Sequence, residues 1–411
     1  MKNIAIVTYN FLPYAASFGG VSRVTYLTKF LKERSYDVKI ISTKGIFYSY
    51  FGNEWLQNED VDYIGSTIHR KKQKNFNKGS QQTLFSHKIK GALKYLNKEV
   101  LIPDYGVLDV LKYIKKVNEY ILSCKGDCTI ILSAPPHSVN VLCLYIKRFH
   151  PKVKVILEYR DSWNTQPIFS KKNILANKIS SHLEKLIINK ADHFVYVSPV
   201  VLDMVENKFN ISIKEKSKLI MNGYVASENV KETTCAYDKS KKLNLRGGYF
   251  GVINDFSDSY RSIYYLELLL SNSRSSIDLF GHVEFEKFDI DNSDNISYQG
   301  SLKHSEVYSI AQSYDYLVIL HTEESSSLEP IPGKLFDYLY ARKPIVCVMP
   351  LNSQVAKFIL EHGIGIVVEP ENVEGFNLNE ALANFSFNNK LDITVYSREK
   401  QFENYLSIIN D

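Results

Sequence analysis

"LEPIPGKLFDYLYARKP", Leu328 to Pro344, sets the problem. One acid, Glu329, stands just ahead of a Pro-x-Pro-Gly-Lys turn, and a second, Asp337, follows after seven intervening residues. Pro332 suits the first turn of a helix, where a missing N–H costs nothing. Leu335, Phe336 and Leu339 supply an apolar face at helical spacing. Pro344 restricts the residue before it, so the helix ends near Arg342. Glu329 then lies in the feeding loop and Asp337 inside the helix, with the N–H groups of Gly333, Lys334 and Leu335 between them. A helix start that carries a glycine and a lysine suits an anion. Spacing alone allows a plainer account equally well, in which Glu329 complements the helix dipole and Asp337 is a solvated acid.

Outward from this stretch, short apolar runs alternate with helical patterns. "NIAIV" precedes a helix from Gly20 to about Glu33, then "DVKIIS". "CTIILS" leads to a helix from Ser138, and "VKVILEY" to a helix around Lys178 to Asn189, followed by "FVYVS". After a polar stretch, Ala226 to Lys242, the rhythm restarts with "GGYFGV", a helix near Ser262 to Leu270, "SIDLFG", "YLVILH", the opening helix, "PIVCVM" and "IGIVVEP". Such alternation means βαβ units and mostly parallel sheets. Two series separated by a polar segment mean two Rossmann-like domains, with ligands beyond the carboxyl ends of the strands.

Composition bounds the setting. The chain has 411 residues, 45% of them hydrophobic, enough for two cores. No run approaches the roughly 20 apolar residues that span a bilayer. "MKNIAIVTYNF" is interrupted too soon for a signal peptide and reads as a first strand. Five scattered cysteines, with no second Cys/His pair to complete a metal site beside Cys124 and Cys128, indicate reduced thiols in the cytoplasm. A net charge of +5 is too mild to indicate nucleic acid. From Arg70 to Lys98, however, there are many lysines and no acid, with Phe85, Ile89, Leu93 and Leu96 at helix-like intervals. That pattern fits either a basic amphipathic segment on an anionic membrane surface or an ordinary solvated helix.

Several strand ends carry candidate ligand residues. Gly19-Gly20 follows the first strand with Arg23 a turn later, a place for backbone to approach a ligand or simply a tight turn. His137 is held behind two prolines, where Ser138 could cap the next helix; packing alone would also explain it. Arg160 and Asp161 follow "VKVILEY" and could pair with each other, and Asn222-Gly223 makes a turn.

Taken in order, these residues resemble the retaining glycosyltransferases of the GT-B fold, closest to glycosyltransferase family 4. The likeness covers nearly the whole chain: the glycine loop (Gly19, Gly20), the strand-end histidine (His137), Arg160-Asp161-x-Trp163, "VSP" at Val197 to Pro199, the Asn222-Gly223 turn, and "GKLFDYLYARKP" with its acid-x7-acid pair. It implies two Rossmann-like domains facing an interdomain cleft. Residues 1–225 would bind the acceptor and residues 226–390 the nucleotide-sugar, and a terminal helix within 391–411 would cross back to the first domain. It implies transfer of a sugar, commonly from a uridine diphosphate donor, to a glycan or lipid-linked acceptor in surface polysaccharide or glycolipid synthesis, at the inner face of the cell membrane, without metal or other cofactor.

By the resemblance, Asp337 holds the ribose, Glu329 contacts the donor sugar, and His137 positions its anomeric carbon. Gly20, Gly333, Lys334 and Leu335 serve the donor, while Gly19, Arg23, Arg160 and Asp161 line the cleft and acceptor side. The family usually supplies an Arg and a Lys after the first strand of the second domain. Here Val252 occupies the Arg position and only Arg261 follows, after a longer loop. A nucleotide-sugar epimerase on the same fold, or a non-catalytic nucleotide-sugar-binding protein, would share the donor residues.

Overall fold

A computed structural model of the chain describes residues 2–15, 20–45, 60–67, 101–165, 173–226, 244–256, 259–286, 288–290, 293–302 and 304–411. The basic segment Arg70 to Lys98 and Gly19 lie outside the described residues. The chain divides into two compact units, Met1–Ile220 together with Phe402–Asp411, and Met221–Gln401.

In the first unit the order is β1 (Asn3–Thr8), α1 (Ser22–Glu33), β2 (Asp37–Lys44), β3 (Val61–Gly65), α2 (Val110–Ser123), β4 (Cys128–Ala134), α3 (Leu142–Phe149), β5 (Lys154–Tyr159), α4 (Ile174–Lys190), β6 (His193–Tyr196), α5 (Val200–Phe209) and β7 (Ser217–Leu219). In the second it is β8 (Arg246–Phe250), β9 (Ile253–Asn254), α6 (Tyr264–Leu270), β10 (Ser276–Phe280), β11 (Val283–Glu284), β12 (Ile296–Tyr298), α7 (His304–Ala311), β13 (Tyr316–Leu320), α8 (Glu324–Ser327), α9 (Gly333–Ala341), β14 (Ile345–Val348), α10 (Gln354–His362), β15 (Gly365–Val368), α11 (Leu378–Asn384) and the start of α12 (Arg398–Asn410).

The first sheet runs β3-β2-β1-β4-β5-β6-β7 and the second β12-β10-β8-β13-β14-β15, with every neighbouring pair parallel. Continuous apolar runs explain this: "CTIILSA" of β4 is buried along its whole length, as parallel strands covered on both faces must be. In the first unit α2 to α5 cover one face and α1 and α12 the other. Each sheet reverses its strand order once, between β1 and β4 and between β8 and β13. A crevice opens at such a switch point, outside the carboxyl ends of the strands.

The second switch point has an added device. β8 and β13 pair only at Tyr316 with Gly247 and Leu317 with Gly248. Beyond these residues the Tyr338 hydroxyl of α9 enters the split, accepting from the Phe250 N–H at 3.1 Å and donating to the Val318 carbonyl at 3.3 Å. Those bonds pin the opening helix over the crevice. At the entry to the second unit, Gly223 has φ +66° and a Cβ there would lie 2.8 Å from the Arg398 backbone, so this turn requires glycine.

Candidate functional site

In the second unit, the opening stretch folds as its residues dictate. α9 begins at Gly333, directly after Pro332, and ends where Arg342 adopts the left-handed conformation at φ +54°. The Leu335 N–H, expected to face a ligand, instead donates to the Pro332 carbonyl at 3.1 Å, because the first turn tightens on itself. Gly333 and Lys334 remain as the leading donors. A Cβ built on Gly333 meets nothing within 4 Å, so the space ahead of the helix is open. Glu329 is buried in the loop that enters α9, and Asp337 is half-buried within the helix.

Two cations converge here. The Lys334 ammonium lies 4.3 Å from the centre of the Tyr249 ring, and a Cβ at Gly251 would approach it to 3.6 Å. Arg261 arrives from the long loop after β9, which closes on Asn254. The Asn254 N–H donates to the Arg261 carbonyl, its carbonyl accepts from Ile263, and its amide donates to Ser259 Oγ. Tyr260 then stacks on His321 at 4.3 Å, fixing Arg261 beside it. Loss of hydration, with the neighbouring Arg261 charge, pushes Lys334 down to about 7. His321 is pushed down to about 4 by burial, Arg261 and Lys334, so it adds no charge near neutrality. Arg261 Nε is buried and has no hydrogen-bond partner among the described residues. Two cations brought together at the start of α9 suit an anion.

In the first unit, His137 opens a 3₁₀ turn, His137–Val141, just past the end of β4. Its ring stacks on Trp163 at 5.2 Å and 12° and meets Tyr159 edge-on at 5.1 Å. Burial, opposed by a hydrogen bond to the Ser162 backbone and assisted by the Arg160 charge, pushes it down to about 3, so the ring is neutral throughout the physiological range. Behind it, Trp163 Nε1 donates to Ser180 at 3.1 Å, and Asn164 donates twice to Glu184, at 3.1 and 2.7 Å. Helix α4 thereby braces the floor under His137.

The sequence matches no family model and no curated protein. Among solved structures it is similar to the lipopolysaccharide outer core galactosyltransferase WaaB in its apo form, at 13% identity and TM-score 0.61, covering 99% of both chains. It is also similar to Anabaena HepE in complex with UDP and glucose, at 12% identity and TM-score 0.59, covering 100% of both chains. A trehalose-6-phosphate protein from E. coli bound with UDP-2-fluoro glucose matches at 10% identity and TM-score 0.59, covering 100% of this chain and 99% of that one. This is the GT-B fold.

Within the GT-B chain, the expected residues separate into two groups. Glu329, Gly333, Lys334, Asp337 and Arg261 all belong to the second unit's crevice region, at and after the ends of β8 and β13. Arg261 reaches Lys334 although it lies far from the usual position. His137, Arg160, Asp161 and Gly20 belong to the carboxyl edge of the first sheet. Arg160 and Asp161 do not pair with each other. Arg160 instead donates to the carbonyls of Gly20, Ala134 and Pro135, bracing Gly20 against the His137 turn. Burial raises Asp161, and the Arg160 charge opposes that only in part.

Arg23, expected toward the acceptor, is a core residue. Its Nε donates to Glu158 at 2.6 Å, both groups are buried, and Tyr405 and Ser133 hydroxyls complete the Glu158 shell. Ser138 does not cap a helix. The Asp104 carboxylate accepts from the N–H groups of Gly106, at 2.9 Å, and Ser138, at 3.2 Å. Reading from sequence also missed Tyr338, Tyr260 and Asp104. The only available signal was Tyr338's place beside two helix-face positions.

Proposed function

We propose that the protein is a retaining glycosyltransferase that moves a sugar from a nucleotide-diphosphate donor to a glycan or lipid-linked acceptor. The observation that carries this reading is the convergence of Arg261 and Lys334 at the start of α9, beside the second switch point. A sugar nucleotide brings a diphosphate of about two negative charges, matched by two cations whose proximity is otherwise costly. The Gly333 and Lys334 N–H groups would add to this as charge develops on the departing phosphate. The neighbours determined with UDP or a UDP-sugar support a uridine donor.

The chemistry follows from this placement. As the bond to the diphosphate lengthens, the sugar carbon becomes oxocarbenium-like. The acceptor hydroxyl attacks from the same face, and its proton passes to the leaving phosphate oxygen, which gives retention. Glu329 would hold donor-sugar hydroxyls and Asp337 the ribose. His137, kept neutral, would contact the transferred sugar as a hydrogen-bonding group rather than a charge. Since Arg261 and Lys334 offset the diphosphate, turnover needs no divalent ion. The reading places the enzyme at the cytoplasmic face of a membrane, in surface polysaccharide or glycolipid synthesis.

Incubation with a panel of nucleotide-sugars and lipid-linked acceptors tests the reading. Transfer with an unchanged anomeric configuration, undiminished by EDTA, is expected. Isomerised donor would mean an epimerase, and binding without turnover a non-catalytic protein.

A further inference from the structure

Every large apolar side chain that the described part of the first unit leaves exposed lies on one face of its sheet. They include Leu111 (80% exposed) and Leu122 on α2, Phe149 on α3, and Ile174 (78%), Leu175 (68%) and Ile179 on α4. The other face, under α1 and α12, shows none among the described residues. Single exposed leucines are ordinary, but this partition between two faces is not.

Charge follows the same division. Helices α2, α3 and α4 pack side by side and together carry eight Lys and Arg against two Glu. Of these acids, Glu184 is buried and Glu119 is paired with Lys116 at 2.8 Å. The excess on three helices exceeds the net +5 of the whole chain. On α4 the two properties share one arc. At about 3.6 residues per turn, Ile174, Leu175, Lys178, Ile179 and His182 point outward, while Ala176, Ser180, Glu184 and Ile187 are buried against the sheet.

We infer that this helical face docks the protein on an anionic lipid bilayer. Leucine and isoleucine among lysines, with no exposed unpaired acid on α2, α3 or α4 and Asp203 as the only exposed acid on the adjoining α5, is the composition of a surface that inserts shallowly while its cations meet lipid headgroups. A second copy of the chain is a poorer occupant, because a two-fold contact sets the same lysines against each other. Helices run opposite to parallel strands, so the first turns of α2 and α4, with Leu111, Ile174 and Leu175, rim the carboxyl edge that carries His137 and Trp163. Docking thus brings that edge to the headgroup layer. The docking does not depend on the transferase reading; only its corollary, an acceptor carried by a lipid, rests on it.

The full chain is sedimented with phosphatidylcholine vesicles and with vesicles containing an equal part of phosphatidylglycerol. Wild type binds only the second, and less as salt rises. Leu111→Ser/Ile174→Ser/Leu175→Ser weakens partitioning at least ~tenfold, and Lys115→Gln/Lys178→Gln/Lys190→Gln roughly fivefold per lysine. Nucleotide-diphosphate binding is unchanged in both variants, which separates this test from that of the donor site. Wild type that stays in the supernatant overturns the inference. So does binding lost only on neutralising Lys88, Lys90, Lys94 and Lys98, or self-association that the serine variant abolishes without any vesicle binding.

Discussion

Raising the pH should release the donor through one lysine. Lys334 is held down to about 7 by lost hydration and by Arg261, against about 10.4 for a free lysine. In the proposed donor role the diphosphate needs the ammonium, so the free protein must take up a proton to bind wherever Lys334 has lost one. Apparent Kd then scales as one plus the ratio of neutral to charged Lys334. From pH 7 to pH 9 that factor grows about 50-fold, or about 2.3 kcal/mol, and flattens only at the pKa of the complex. The ligand does not confuse the measurement, since its last phosphate ionisation, near 6, is complete above pH 7. The sign for stability is opposite: between about 7 and 10.4 the unfolded chain holds the proton that the folded one has lost, so the ligand-free protein gains stability with pH. Calorimetric titration with the nucleotide diphosphate across this range, for wild type and Lys334→Met, reads the effect directly. The variant should bind weakly and show no slope. An affinity flat from pH 7 to 9, or a slope that survives in Lys334→Met, would refute the reasoning.

Asp337→Asn should weaken both free diphosphate and full donor by about 1.5–3 kcal/mol, appearing mainly in KM, as expected for a lost charged acceptor. Glu329→Gln should bind the diphosphate normally and lose kcat; two wild-type profiles would move the donor site elsewhere. His137, neutral down to about 3, should make the folded chain lose stability as pH falls below 6.5, by about 2 kcal/mol at pH 5. Denaturant titrations of His137→Gln should lack that share of the acid limb. Arg23→Leu should cost about 3–5 kcal/mol by stranding the buried Glu158 charge. A small change in its denaturation midpoint would argue against the ion pair.

Local chemistry was legible and long-range use was not. Apolar runs announced the strands, and Pro332 and Pro344 marked the two ends of α9. The proposed phosphate clamp was half visible. Lys334 is placed by its own helix, whereas Arg261 arrives only because Asn254 closes a loop whose length suggested no target. Arg23 was misread because its partner, Glu158, stands 135 residues away. A buried ion pair has no local pattern, and an arginine one turn after a glycine loop looks the same whether it faces a ligand or a carboxylate. Tyr338 was hidden within an ordinary apolar face. Its role comes from a gap between two strands that no periodicity records. The short strands β3 and β12 and the helix α2 were also missed, since their runs are brief or broken by lysines.

The path of the last helix sets the order in which the protein can mature. Phe402, Tyr405, Ile408 and Ile409 belong to the core that α1 forms against the first sheet, and Tyr405 also serves the Arg23–Glu158 pair. On the ribosome, strands β1 to β7 emerge first, yet the apolar face meant for α12 must wait through the roughly 180 residues of the second unit. At usual synthesis rates that is on the order of 10–40 s with a bare, aggregation-prone surface. A transcript truncated before Phe402 would therefore yield a first unit that never closes, although every strand of both sheets has been made.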